Sequence, residues 1–198
     1  MTTRLLRPAA AAGALALLLA GCSPDSSAPS TSPTPTASQT SAAPTPTSTL
    51  APAEQEAFDQ ATDVVMAYRQ TGVDLYTGAR TDVNDLNAVV AIGDLLDREL
   101  KNVSQGLTQG YSSEPIGAQV TLVSAEPVSI DLDADPPTVV VRACIDASGV
   151  TDVAPDGTRT PGVREQLEYT VVTTDYLPAP GWAVLKVTGA KDPKDRKC

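Results

Sequence analysis

Thr138-Val139-Val140-Val141-Arg142-Ala143-Cys144-Ile145 is the stretch whose reading decides the fold. In an extended chain successive side chains point to opposite faces. Val139, Val141, Ala143 and Ile145 then make one wholly apolar face. Val140, Arg142, Cys144 and the following Asp146 make a mixed one that is not the main core. A strand of this kind needs an apolar layer on one side and tolerates water on the other.

Working outward, the period of two recurs on both sides. Gln166 to Thr174 and Trp182 to Thr188 read as strands, the first bringing Leu167, Tyr169 and Val171 to the same apolar layer. A turn around Pro178, Pro180 and Gly181 joins them. Trp182 is expected to be buried at the start of its strand. Upstream, Val120 and Leu122 open a strand that Val128, Ile130 and Leu132 carry past Pro127, which predicts a bulge or a sheet edge there. Pro155-Asp156-Gly157 marks a turn inside a long hairpin loop.

Before Tyr111 the period is 3.6. Pro52 suits a first helical position, and Glu54 and Glu56 suit the positive helix end. Ala57, Phe58, Ala61, Val64, Val65 and Tyr68 line one face, with Gly72 as the expected stop. Asp82 or Asn84 can cap a second stretch whose face runs through Leu86, Val89 and Val90. It continues through Leu95, Leu96, Leu100, Val103 and Leu107. Gly93 is expected to divide it, and Gly106 and Gly110 to end it.

The expected fold class is therefore α+β, with N-terminal helices packed on a curved, cone-like antiparallel β-sheet. The element order from Ala53 to Val187 resembles the nuclear transport factor 2-like superfamily, also described as cystatin-like, although no residue motif carries the resemblance. The other arrangement these elements permit is a plain antiparallel sheet with its helices on one side in a different connection order.

Residues 1–21 read as a secretory signal. Arg4 and Arg7 precede an Ala/Leu run from Ala9 to Ala20, too short for the ~20 residues a bilayer crossing needs. The run ends in Leu19-Ala20-Gly21-Cys22, which resembles the lipobox of bacterial lipoproteins. That resemblance implies that Cys22 is acylated with fatty chains such as palmitate and becomes the mature N-terminus, anchored outside the cell membrane. Two acyl chains suffice for stable anchoring, at about 0.8 kcal/mol per buried CH₂. The bland alternative is an ordinary cleaved signal with a chance cysteine.

Residues 22–52 are the lipidated cysteine and a Ser/Thr/Pro/Ala-rich linker, with Asp25 the only charge. Such a sequence cannot bury enough surface to offset its ordering entropy, which predicts a disordered stalk, open to O-glycans at its Ser/Thr-Pro positions. Its reach is roughly 30 Å as a coil and about 90 Å when stretched. The globular domain is expected over residues 53–198. The Ala, Pro and Thr bias points to a high-GC, actinobacterial genome.

The chain carries 24 acidic against 14 basic residues and no histidine, a formal charge of −10. Loss of Arg4 and Arg7 with the signal takes it to −12. A field of that sign argues against nucleic acid and against charge-driven adhesion to anionic lipid. The membrane is then reached only through the acyl chains. Without histidine, Ser-His-Asp and Cys-His catalysis and His-ligated metals are excluded, and three cysteines are too few for an all-thiolate zinc or iron–sulfur site. No cofactor is expected.

With Cys22 acylated, Cys144 and Cys198 remain in an oxidising setting. A disulfide between them is expected, stapling the charged C-terminal tail across the outer sheet face. Two free thiols or an intermolecular bridge are the other readings.

Asp131, Asp133 and Asp135 have the spacing that opens a calcium loop, but Pro136 stands where glycine is needed and Arg142 where a bidentate glutamate belongs. A solvated acidic loop is expected instead. Ketosteroid isomerase, a cone-shaped relative in the resemblance, works with Asp and Tyr. Tyr68 and Tyr76 with Asp63, Asp74 or Asp146 are the candidates here, though none maps onto that family's positions. Tyr68 also reads as the end of an apolar stripe.

The resulting expectation is a non-catalytic binding or scaffold module of the cell envelope, meeting an envelope protein or a cell-wall component. The alternative is a small-molecule-binding or isomerase-like domain with an apolar cone cavity. A transporter-associated binding lipoprotein needs two larger lobes than this length allows.

Overall fold

A computed structural model describes residues 50–176, 181–189 and 197–198. The signal, Cys22 and all of the stalk up to residue 49 lie outside the described residues, as do Pro178 and Pro180 of the expected turn.

Helix α1 spans Pro52–Thr77. Pro52 opens it, and the Glu54 carboxylate reaches back to accept from the Ala51 N–H at 2.8 Å, satisfying a donor that the first turn leaves free. The helix does not stop at Gly72. It runs on to Gly78, whose φ of 76° is the left-handed conformation that ends helices. Glycine in a helix interior costs about 1 kcal/mol. Burial of Thr71 and Leu75 on the same stripe outweighs it.

A short 3-10 helix, Val83–Ala88, follows, capped by Asp82, whose carboxylate accepts from the Asn84 N–H at 2.9 Å. Val89 and Val90 do not continue a helical face. Their segment lies parallel to the last strand, with the Ala91 N–H donating to the Val184 carbonyl and the Val184 N–H to the Val89 carbonyl, both at 2.9 Å. Helix α2, Asp94–Gln109, starts after Gly93 and passes through Gly106 to end at Gly110.

The strands are β1 (Ser112–Glu114), β2 (Thr121–Asp131), β3 (Thr138–Asp146), β4 (Thr151–Val153), β5 (Arg159–Pro161), β6 (Arg164–Thr174) and β7 (Gly181–Thr188). They form two antiparallel sheets, β2-β3-β6-β7 and β1-β4-β5. The helices pack against them, an α+β fold. Cross-strand register builds the core in rungs. Val139 lies opposite Val171, Val141 opposite Tyr169 and Ala143 opposite Leu167, and Val184 and Val187 extend the first two. These face Ala57, Ala61, Val65 and Leu75 of α1 and Leu95, Leu96 and Val103 of α2 in one buried cluster.

The edge strand β2 is irregular at Leu122/Ser124 and at Pro127/Ser129. This is the disruption its proline predicts, and it blunts an otherwise open edge.

The long hairpin between β3 and β6 bends out of the large sheet. Ala147 N–H donates to the Val163 carbonyl, and Gly162 N–H to the Val150 carbonyl at 2.8 Å. A Cβ at Gly162 would run into the Ala147 carbonyl oxygen, so only glycine permits this approach. Beyond the bend, β4 and β5 turn through Ala154–Thr158 and meet β1.

The outer face of the large sheet is mixed, with Val140 and Val172 beside charged side chains. Arg142 bridges Glu126 at 2.7 Å and Glu168 at 2.6 Å. Cys144, on the same face, is bonded to Cys198 with Cα atoms 6.0 Å apart. At the end of β3, Asp146 accepts from the Ser148 N–H at 2.9 Å and from Arg164 at 2.8 Å. Hydrogen bonds from Ser148, then Arg164, hold its carboxyl well below the usual range. A depressed folded pKa contributes stability present above the unfolded value of about 3.9 and lost as the pH falls through the folded one. Asp146→Asn is therefore expected to flatten the decline of stability below about pH 4. Urea midpoints at stepped pH check this, and an unchanged acid decline would contradict it.

Candidate functional site

An open cleft of about 610 Å³ lies between the C-terminal half of α2 and the small sheet. Asn102, Gln105, Gly106 and Gln109 line one wall, at the i, i+3, i+4, i+7 spacing that shares a helix face. Ser112 and Ser113 of β1, Asp152 of β4 and Thr160 of β5 line the other, with Tyr76 and Tyr111 between. Ser113 is buried and donates from Oγ to Asp152 Oδ1 at 2.7 Å, directly across the β1–β4 pair.

Gly106 shapes the floor. A Cβ there would sit 2.6 Å from the Tyr76 hydroxyl oxygen, so the missing side chain admits the phenol to the helix surface. The hydroxyl donates to the Asn102 carbonyl at 3.4 Å. Burial raises the Tyr76 pKa above its ordinary value, with the carboxylates of Glu99 and Asp152 adding to it. Tyr111 is held by its N–H donating to the Gly106 carbonyl at 3.0 Å as the helix ends, and the residue is 45% exposed.

An adjoining recess of about 280 Å³ shares Tyr76, Ser113 and Asp152 and reaches in to Tyr68, Arg69, Gly72 and Glu99. Arg69 is not free there, since it pairs with Glu165 at 2.8 Å. Tyr68 packs edge-on against Tyr169, with ring centroids 6.4 Å apart. Burial, then Glu99, pushes its pKa above the ordinary tyrosine value.

Of the candidate Asp and Tyr residues named from sequence, only Tyr68 and Tyr76 reach these cavities. Asp63 is exposed on α1. Asp74 accepts from Gln70 at 2.7 Å and from Arg80 at 3.2 Å, and Asp146 belongs to the outer sheet face. No Asp–Tyr pair of the expected kind forms among them.

Asp131 turns inward on its own loop, accepting from the Asp133 and Ala134 N–H groups at 3.2 and 3.0 Å. Among the described residues no group of three or more potential metal ligands occurs. Trp182 is half-buried, its Nε1 donating to Gln60 at 2.8 Å. Asn102, Gln105, Gln109, Tyr111, Ser113 and Asp152 escape sequence reasoning. The only hint is the amide spacing on the polar side of α2.

No family model matches this chain, and no curated protein matches it. Among solved structures, the crystal structure of the intermembrane space region of chloroplast protein ARC6 superimposes with a TM-score of 0.49 and 14% identity, over 67% of this chain and 97% of that one. A likeness of this degree says nothing of function.

Proposed function

We propose that this chain is a lipid-anchored lipoprotein of the extracytoplasmic face of the cell membrane, acting as a non-catalytic binding module of the cell envelope. On this reading Cys22 carries the acyl chains and residues 23–52 are the tether that lifts the domain toward its ligand.

The observation that carries the binding reading is the cleft beside α2. It is larger than about 300 Å³, the lower bound of ordinary ligand sites, and its lining sets amides and hydroxyls into a largely apolar carbon surface. General acid–base catalysis asks for a group poised within reach of a reacting atom. Here the lining offers one carboxylate, Asp152, whose Oδ1 accepts from Ser113, and no second carboxylate, histidine or lysine beside it among the described residues. The Cys144–Cys198 bond supports export, because such bonds persist in oxidising compartments. The α+β arrangement of helices on antiparallel sheets is compatible with the nuclear transport factor 2-like resemblance, which rests on element order alone.

Anchoring is tested by growing the producing cells with radiolabelled palmitate. The expected result is label in the native chain, none in Cys22→Ala, and release of that variant from the membrane fraction. A native chain without label, or a Cys22→Ala chain still in the membranes, would overturn it.

A further inference from the structure

We propose that the cleft between α2 and the small sheet is a binding site for a neutral oligosaccharide. The inference rests on the reading of the chain as a binding module and names the ligand class of that same site.

The lining selects the class by elimination. Among the described residues its only charged side chain is Asp152, and no cation lines the cleft. Arg159 on the neighbouring strand is paired with Glu114, and Arg69 in the recess with Glu165. On a chain of formal charge −10, a phosphate, a nucleotide or an acidic peptide would meet repulsion without compensation. A metal ion would find a single carboxylate, too few anionic oxygens for a hard cation. A purely apolar ligand would strip water from Asn102, Gln105 and Gln109 and return no hydrogen bonds, a penalty for each amide.

What matches is a ligand dense in neutral groups that both donate and accept. Each carboxamide has two donors and two acceptor lone pairs, and each hydroxyl does both. Asn102, Gln105 and Gln109 space such groups along roughly 10 Å of helix. Ser112, Thr158 and Thr160 face them across the cleft.

Two tyrosines supply the other half of sugar recognition. A sugar ring presents a face of C–H groups beside its hydroxyls, and a phenol offers an apolar face with a polar edge. Tyr111 is exposed in the cleft yet fixed at its backbone by the helix end, an aromatic that costs little ordering on binding. Gly106 points the same way. Glycine weakens the interior of α2, and what it admits is the Tyr76 ring. The volume suits roughly two or three sugar rings within the ordinary range for ligand sites.

The test is calorimetric titration of the full chain in detergent with neutral tetrasaccharides of N-acetylglucosamine, glucose and mannose, with tetragalacturonate as the anionic control. At least one neutral tetramer is expected to bind in the micromolar to millimolar range, more tightly than the control. Tyr111→Ala is expected to weaken it about 10-fold and Gln105→Ala about 5-fold, while Tyr111→Phe keeps the ring and stays within about 2-fold.

Gly106→Ala is expected to displace Tyr76 and weaken binding while thermal stability holds or rises, because alanine is the better helix former. No binding of any neutral tetramer, preference for the anionic one, or binding indifferent to Tyr111→Ala and Gln105→Ala would overturn the proposal. Palmitate incorporation without saccharide binding would sink this inference alone. Saccharide binding by an unlabelled chain would sink the anchoring alone.

Discussion

Cys198→Ser is expected to lower the stability of the domain by about 4 kcal/mol, since the bond closes a 54-residue separation and the chain-entropy estimate grows with loop size. The chemistry is local but the consequence is not. Cys144 sits in β3, one of two strands paired on both sides in the large sheet, and is 1% exposed. Its partner is the last residue of the chain. Breaking the bond releases Cys198 from β3 and enlarges the unfolded ensemble.

For a domain of this size the loss corresponds to a drop in Tm of about 10 °C. The same drop is expected when the native chain is reduced with dithiothreitol. Thermal unfolding of native, reduced and Cys198→Ser chains checks it. Coincident midpoints for all three would show that the tail is held by other contacts and that the bond contributes nothing.

Tyr169 gives the second large effect, with opposite signs for two substitutions. Its side chain is completely buried in the rung with Val141, and its hydroxyl has no hydrogen-bond partner among the described residues. A buried hydroxyl left unpaired costs about 1–3 kcal/mol. Tyr169→Phe keeps the ring and its contact with Tyr68 and removes that cost, so it is expected to stabilise by about 1 kcal/mol. Tyr169→Ala removes the ring itself and is expected to cost about 3–5 kcal/mol.

The pH dependence sharpens the test. Burial pushes the Tyr169 hydroxyl up to about 12. A folded pKa above the unfolded one contributes stability that is whole below the unfolded value, near about 10, and lost as the pH rises through the folded value. Tyr169→Phe should therefore shift alkaline unfolding to higher pH. Urea unfolding between neutral and alkaline pH decides it. A Phe variant less stable than the native chain would mean that the hydroxyl is satisfied.

How much of this was legible in the residues differs from element to element. The β3 pattern places Val139, Val141, Ala143 and Ile145 toward the helices because alternation is a property of any extended backbone, and all four are buried. Pro127 announces the irregular edge because proline cannot donate to a ladder. Gly72 misleads, since its intrinsic penalty of about 1 kcal/mol is smaller than what burial of the next helical turn returns. Val89 and Val90 mislead for another reason. Their apolar character suits helix or strand alike, and the free edge of β7 decides between them.

The amino-acid sequence by itself determined the strand faces, the helix stripes and the hairpin turn, because each depends on residues within a few positions of one another. It also determined the net charge and the absence of histidine, which need no geometry. Tertiary structure alone decided that the hairpin bends at Gly162 and that Tyr76, Asn102, Tyr111 and Asp152 share one cleft. Those meetings join residues far apart along the chain, and no local period records a distance that only the packing of α2 against its neighbours sets.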